Sequence, residues 1–216
     1  MDSRVTILGK KNSCLNQILY EMRDENIQRD RLRFRTNLEK TGELLAYEIS
    51  RELSYLPRVV TTPLGELEMN LPVTPPVLVS ILRAGVPLHN GFLRMFDHAD
   101  NGFISAFRQH TTENEFVVKV EYTAIPDVTH RDLIVIDPMI ATGRSIVLSI
   151  REIYGMGHPE KLFIAGVVAS EEGLEYVLRN IPNARIYVAA VDNELTAKSY
   201  IVPGLGDAGD LAFGPK

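Results

Sequence analysis

The spacing of apolar residues changes character along this chain, and each change marks an element. Leu38, Leu45, Ile49, Leu53 and Leu56 recur at steps of three, four and seven, which lines one face of a helix. Thr36 followed three residues later by Glu39 is a capping-box pattern, so the helix is expected to begin at Thr36 and to stop at Pro57. Gly42 inside it costs roughly 1 kcal/mol relative to Ala and marks a place of close packing. Val59-Val60-Thr61-Thr62 and Leu67-Glu68-Met69 flank Pro63-Leu64-Gly65-Glu66, which predicts a small β-hairpin arm over residues 58–70. The first forty residues are polar. Arg29, Arg31, Arg33 and Arg35 alternate with other residues there, as either a solvated face or an arginine-rich surface for a partner.

Beyond Pro75-Pro76 the alternation gives way to unbroken apolar runs. Residues 77–82, 103–107, 116–122, 133–137, 162–169 and 186–190 read as strands. Several are continuous, as expected when helices cover both faces of a parallel sheet. Residues 85–96, 146–154 and 174–178 supply the helices. Strand and helix alternate, which predicts an α/β fold with an open, mostly parallel sheet flanked by helices. Neither repeats nor low-complexity linkers divide the chain, so residues 1–216 are expected to form one domain.

Composition narrows the function. A chain of 216 residues with 45% hydrophobic content can fill a core, which excludes disordered and disulfide-scaffold classes. Lys and Arg total 23 against 28 acids, a formal charge of −5, and this argues against a nucleic-acid partner. Cys14 is the single cysteine, and the amino end carries no apolar run of the secretory kind. No stretch approaches the ~18 apolar residues of a membrane span. A cytoplasmic protein with no membrane partner is the expectation.

Three segments carry chemistry. The run Leu133-Ile134-Val135-Ile136-Asp137-Pro138-Met139-Ile140-Ala141-Thr142-Gly143-Arg144-Ser145 is a strand, a short loop and a helix start. Helix N–H groups and the hydroxyls of Thr142 and Ser145 make an anion cradle there, and Asp137 suits ribose hydroxyls beside it. Read alone, the same run is equally an ordinary strand-to-helix turn capped by Asp137 or Thr142. It matches neither the P-loop nor the dinucleotide fingerprint. Ile81-Leu82-Arg83-Ala84-Gly85 repeats the arrangement with a cation, and ligands of open α/β sheets collect outside the strands' carboxyl ends. Arg83 and Asp137 are therefore expected to face one cleft. The third segment runs from Tyr200 to Gly214 and holds four glycines, a proline and two aspartates. It argues against regular structure and for a loop packed on the body, whose backbone groups read a small heterocycle.

On these residues the chain resembles the uracil phosphoribosyltransferases of the type I phosphoribosyltransferase family. The likeness runs through Leu44-Leu45-Ala46-Tyr47-Glu48, Leu82-Arg83-Ala84-Gly85, Phe107-Arg108, the Asp137–Ser145 loop and Tyr200–Gly214, the last being the most specific. It implies Mg²⁺-dependent pyrimidine salvage, in which uracil and 5-phosphoribosyl 1-diphosphate give UMP and diphosphate. Arg83 and Arg108 would contact the donor's diphosphate. Asp137, Pro138, Met139, Ile140, Ala141, Thr142, Gly143, Arg144 and Ser145 would wrap the ribose 5-phosphate. Ile201, Gly206, Asp207 and Ala208 would hold uracil in a base-binding loop over residues 200–214, with Asp207 also near the donor and its Mg²⁺. Rigid main-chain groups of this kind separate uracil from cytosine, which reverses a donor and an acceptor. The resemblance further implies a homodimer or higher homo-oligomer, and the family includes members activated by a purine nucleotide such as GTP.

Three positions depart from the family pattern: Arg144 where a second glycine is common, Gln109 where an aspartate is common, and Leu211 where a basic residue is usual. Arg144 is expected to face the 5-phosphate as an added clamp. His89 and His98 are expected at the solvent side or packing boundary of one helix and His110 in a connection, none with metal-ligand spacing. The alternative is a non-catalytic regulator on the same fold that senses a nucleotide or the phosphoribosyl donor, because binding and turnover use many of the same groups.

Overall fold

A computed structural model describes residues 2–110 and 116–215, with strand backbone alone at 106–110 and 116–120. In chain order the elements are β1 (Val5–Ile7), a 3-10 turn (Leu8–Lys10), α1 (Cys14–Arg23), α2 (Arg31–Ser50), β2 (Tyr55–Thr62), β3 (Gly65–Pro72), β4 (Val77–Leu82), α3 (Gly85–Met95), β5 (Asp100–His110) and β6 (Phe116–Ala124). They continue with β7 (Leu133–Ile136), β8 (Met139–Ile140), α4 (Arg144–Tyr154), β9 (Leu162–Ser170), α5 (Glu171–Asn180), β10 (Ala184–Asp192), β11 (Glu194–Leu195), β12 (Ile201–Val202) and α6 (Ala208–Phe213).

The main sheet runs β1-β10-β9-β7-β4-β5-β6, with β8 added beside β9. Every pairing is parallel except that of β5 with β6. The unbroken apolar runs are the central strands: all four residues of β7 and all nine of β9 are buried. One apolar cluster joins the sheet to α1, α2 and α3 through Leu15, Phe34, Leu38, Leu88 and Phe92. The other joins its opposite face to α4 and α5 through Ile146, Ile150, Leu174 and Val177. No helix among the described residues is long and apolar enough to cross a membrane.

The helix expected from Thr36 begins five residues earlier. Asp30 caps α2 by accepting from the Leu32 and Arg33 amides at 3.0 and 3.1 Å, and the first turn is anchored by buried Phe34. Thr36 lies inside the helix. The helix also ends at Ser50, before Pro57, and Leu56 and Pro57 belong to β2. Pro57 is accommodated because, among the described residues, β2 pairs only with β3, opposite Asn70, so its missing N–H interrupts no second ladder there. The polar amino-terminal segment holds an edge strand and a capped helix that its composition concealed. Of its arginines, Arg29, Arg31 and Arg33 are exposed, Arg33 lying 3.6 Å from Glu21, whereas Arg35 turns inward and donates to the Ala212 carbonyl at 2.7 Å.

Gly42 does mark close packing. A Cβ there would sit on the Leu88 carbonyl oxygen of α3, and one on Gly91 would sit on the Glu39 carbonyl oxygen of α2. The two helices thus cross at glycines from both sides, which fixes α3 and the turn that precedes it.

Candidate active site

Adjacent parallel strands β4 and β7 end side by side, with Ser80 opposite Ile136. The residues that follow them, Arg83 and Asp137, consequently line one cleft of about 350 Å³ together with Ser145, Asp207, Gly209, Asp210 and Pro215. Three segments far apart in the chain, around Arg83, Asp137–Ser145 and Asp207–Pro215, meet there. Gly85 permits the first turn, since a Cβ on it would strike Ser80 Oγ and approach the Ile136 carbonyl oxygen.

The cradle after β7 is lined by Asp137, Met139, Ala141, Thr142, Gly143, Ser145 and Ile146. Asp137 accepts from the Met139 amide at 3.2 Å. Gly143 precedes α4 at φ +71°, and a Cβ there would press on the Gly173 carbonyl and the Val177 side chain. Pro138 and Ile140 are buried beneath the loop. Arg144 is exposed and is absent from both linings.

The carboxyl-terminal glycine-rich run is not wholly irregular. Asp207 accepts from the Asp210 amide at 2.9 Å and caps α6. Arg83 then donates to Asp210 Oδ1 at 3.1 Å and to the Gly214 carbonyl at 3.3 Å, while its Nε is buried without a partner. Of the residues assigned to uracil, Asp207 lines the cleft, Ile201 and Ala208 are buried, and Gly206 is exposed at φ +93°. Arg108 lies on β5, and its side chain falls outside the described residues, as do those of Gln109 and His110. Leu211 packs partly buried against the core.

Residues 9–215 match the family model described as Uracil phosphoribosyltransferase. The chain belongs to the uracil phosphoribosyltransferase family. A relative of that name from Porphyromonas gingivalis is 48% identical over 210 residues, covering 97% of each chain. Another so named, from Thermococcus gammatolerans, is 39% identical over 92% of this chain and 88% of its own. A solved protein of Aquifex aeolicus shares the fold with a TM-score of 0.87 and 28% identity, covering 97% of this chain and 98% of that one.

Sequence reasoning missed the residues that brace the family's loops. Ser170, at the end of β9, donates to the Ala141 carbonyl at 2.5 Å and accepts from the Gly173 amide at 2.8 Å, tying the cradle to α5. Arg23 and Asp192 do the same for the carboxyl-terminal loop. The serine offers an N-cap signal, but its bond to Ala141 spans 29 positions and has none. His89 is buried in α3 against Phe103 rather than at a packing boundary, and His98 lies in the exposed turn after that helix.

Proposed function

We propose that this protein transfers the 5-phosphoribosyl group from 5-phosphoribosyl 1-diphosphate to uracil, forming UMP and diphosphate in cytoplasmic pyrimidine salvage. The observation that carries the reading is the convergence of Arg83, the Asp137–Ser145 cradle and the Asp207–Asp210 turn on one cleft. Arg83, joined by Arg108, neutralises the departing diphosphate. The cradle fixes the 5-phosphate through Thr142, Gly143 and Ser145, and Asp137 takes the ribose hydroxyls. Main-chain groups of Ile201, Gly206 and Ala208 present uracil to the face of the anomeric carbon opposite the leaving group. Rate then comes from placement and electrostatic stabilisation, with no covalent nucleophile.

The carboxylates suit Mg²⁺ that arrives on the donor. Among the described residues no group of three or more His, Cys, Asp or Glu could hold a metal, and Asp137 and Asp207 each accept a backbone N–H. Mg²⁺ is commonly held through phosphates and waters with one or two carboxylates, so Asp207 would act on it indirectly. Bound with the donor, it supplies charge neutralisation at the diphosphate.

Purified protein given Mg²⁺, uracil and the donor should release diphosphate and form UMP, with orotate, hypoxanthine and cytosine reacting far less. Adding GTP to the same assay reads the expected purine-nucleotide effect. Donor binding without UMP at saturation would make the chain a sensor instead.

A further inference from the structure

The carboxyl-terminal loop is pinned by an ion pair that lies outside the donor cleft. Arg23 closes α1, and its two terminal nitrogens lie 2.8 and 2.9 Å from the two carboxylate oxygens of Asp192, the last residue of β10. The carboxylate is nearly buried, at 9% side-chain exposure. Asp192 Oδ2 also accepts from the Gly204 amide at 2.9 Å, and Arg23 donates to the Gly204 carbonyl at 3.1 Å. A single bidentate pair thus captures both polar main-chain groups of one loop residue.

Gly204 is itself built for this place. Its φ is +57°, and a Cβ would fall on the Ile201 carbonyl oxygen. Pro203 before it offers no N–H. Beyond it the chain passes buried Leu205 and exposed Gly206 to Asp207, whose carboxylate caps α6. The segment between β12 and α6 is therefore held at its entrance by Arg23 and Asp192 and at its exit by Asp207.

We propose that Arg23 and Asp192 are positioning residues for base recognition, setting through Gly204 the main-chain geometry of the loop that holds uracil. This rests on the reading of residues 201–208 as the uracil site. Recognition by backbone groups tolerates displacements of only about 0.5 Å, and those groups cannot be re-aimed by a rotamer change. Bidentate charge-assisted bonds supply the needed rigidity. Removing either partner leaves the other charge without its counterpart and frees Gly204. Neither residue lines the donor cleft, so the effect falls on uracil.

The test is steady-state kinetics of Arg23→Gln, Asp192→Asn and Arg23→Lys with uracil and donor varied separately, alongside each unfolding midpoint. Arg23→Gln and Asp192→Asn should raise the uracil KM by about tenfold and leave the donor KM within about twofold. Arg23→Lys, which keeps the charge but not the fork, should recover part of the loss. A purely structural pair would lower the midpoint and the active fraction with both KM values unchanged, and that result overturns the proposal. So does an equal rise in both. If Arg23→Gln does not fold, the other two variants carry the comparison, and failure of all three to fold would make the pair a stability element only. Wild-type protein that makes no UMP from uracil overturns the functional reading and this role with it. Active wild type with unchanged variants overturns this role alone.

Discussion

Arg83 is held by oxygens that a diphosphate would replace, one from Asp210 and one from the Gly214 carbonyl. Its unpartnered Nε is a further donor already stripped of water, and leaving such a group unpaired costs roughly 1–3 kcal/mol. In the proposed reaction an anion that reaches Nε recovers that cost. Arg83→Ala should therefore lower kcat/KM for the donor by about ten- to a hundredfold, from the ~1.5–3 kcal/mol of a charged hydrogen bond, with uracil KM little changed. Arg144 makes the contrast. Its exposure beside a cradle lined by its neighbours favours the outward direction over the phosphate clamp expected from its position. Arg144→Gly in the same titrations should hold donor affinity within about twofold, since an exposed charge outside the cradle lining contributes little to a ligand within it. Calorimetry at low and high salt checks both, and a tenfold, salt-sensitive loss for Arg144→Gly would restore the clamp.

The element that aims Arg83 is α3, and the glycine crossing with α2 fixes where α3 lies. Gly91→Ala removes a flexible residue from a helix, a gain of about 0.8–1 kcal/mol, yet drives a methyl group into the Glu39 backbone. Neither side can yield by a rotamer change, and overpacking of this kind costs ~1–3 kcal/mol. The net expectation is a lower unfolding midpoint, by about 2–6 °C for a chain of this size, measured by thermal scanning. This crossing was half legible in the sequence: Gly42 announced close packing, but its partner on α3 lay 49 positions away. The same limit explains the rest. The apolar runs at 77–82, 133–137 and 162–169 gave the central strands because burial on both faces leaves a local signature. The meeting of Arg83 and Asp137 in one cleft was readable for a similar reason, each following a strand in a contiguous strand-to-helix turn. The start of α2 was misread because a capping-box pattern is also found inside helices, and the deciding features were the Asp30 cap and buried Phe34. The bonds of Arg23 to Asp192 and of Ser170 to Ala141 gave no warning, since those partners are set by tertiary folding.

At the scale of the whole molecule, the hairpin of β2 and β3 is the most exposed apolar feature of the described residues. Val59 is 67% and Leu64 99% exposed, and Leu56, Leu67, Met69 and Leu71 are also exposed along the same ribbon. A two-stranded ribbon is marginal alone, and exposed apolar side chains along it suit burial against a second copy, the homo-oligomer expected from the sequence. Sedimentation should accordingly give at least twice the 24.2 kDa of one chain, and a fully active monomer would remove the role of the arm. Folding stability carries its own signature in His89. Asn101 donates its amide to the Ala99 carbonyl at 2.9 Å, so its oxygen faces His89 Nε2 at 2.8 Å and accepts from it. Nδ1 is buried with no partner, and protonation would place an unpaired N–H and a charge there. Burial accordingly pushes the ring below its usual 6.5, against the weaker opposing effect of the Asn101 bond. Above pH 6.5 the histidine is neutral in both states; below it the unfolded chain binds a proton that the folded chain does not. Unfolding then takes up protons, and stability falls as pH drops from the unfolded value toward the folded one. Asp132, raised from 3.8 by burial, has the opposite sign and is present in both proteins, so the comparison of wild type with a His89 variant from pH 7 to 5.5 isolates the histidine. The unfolding midpoint should decline across that interval in wild type and decline less in His89→Gln. Equal slopes for the two proteins would show that His89 is not the group being titrated.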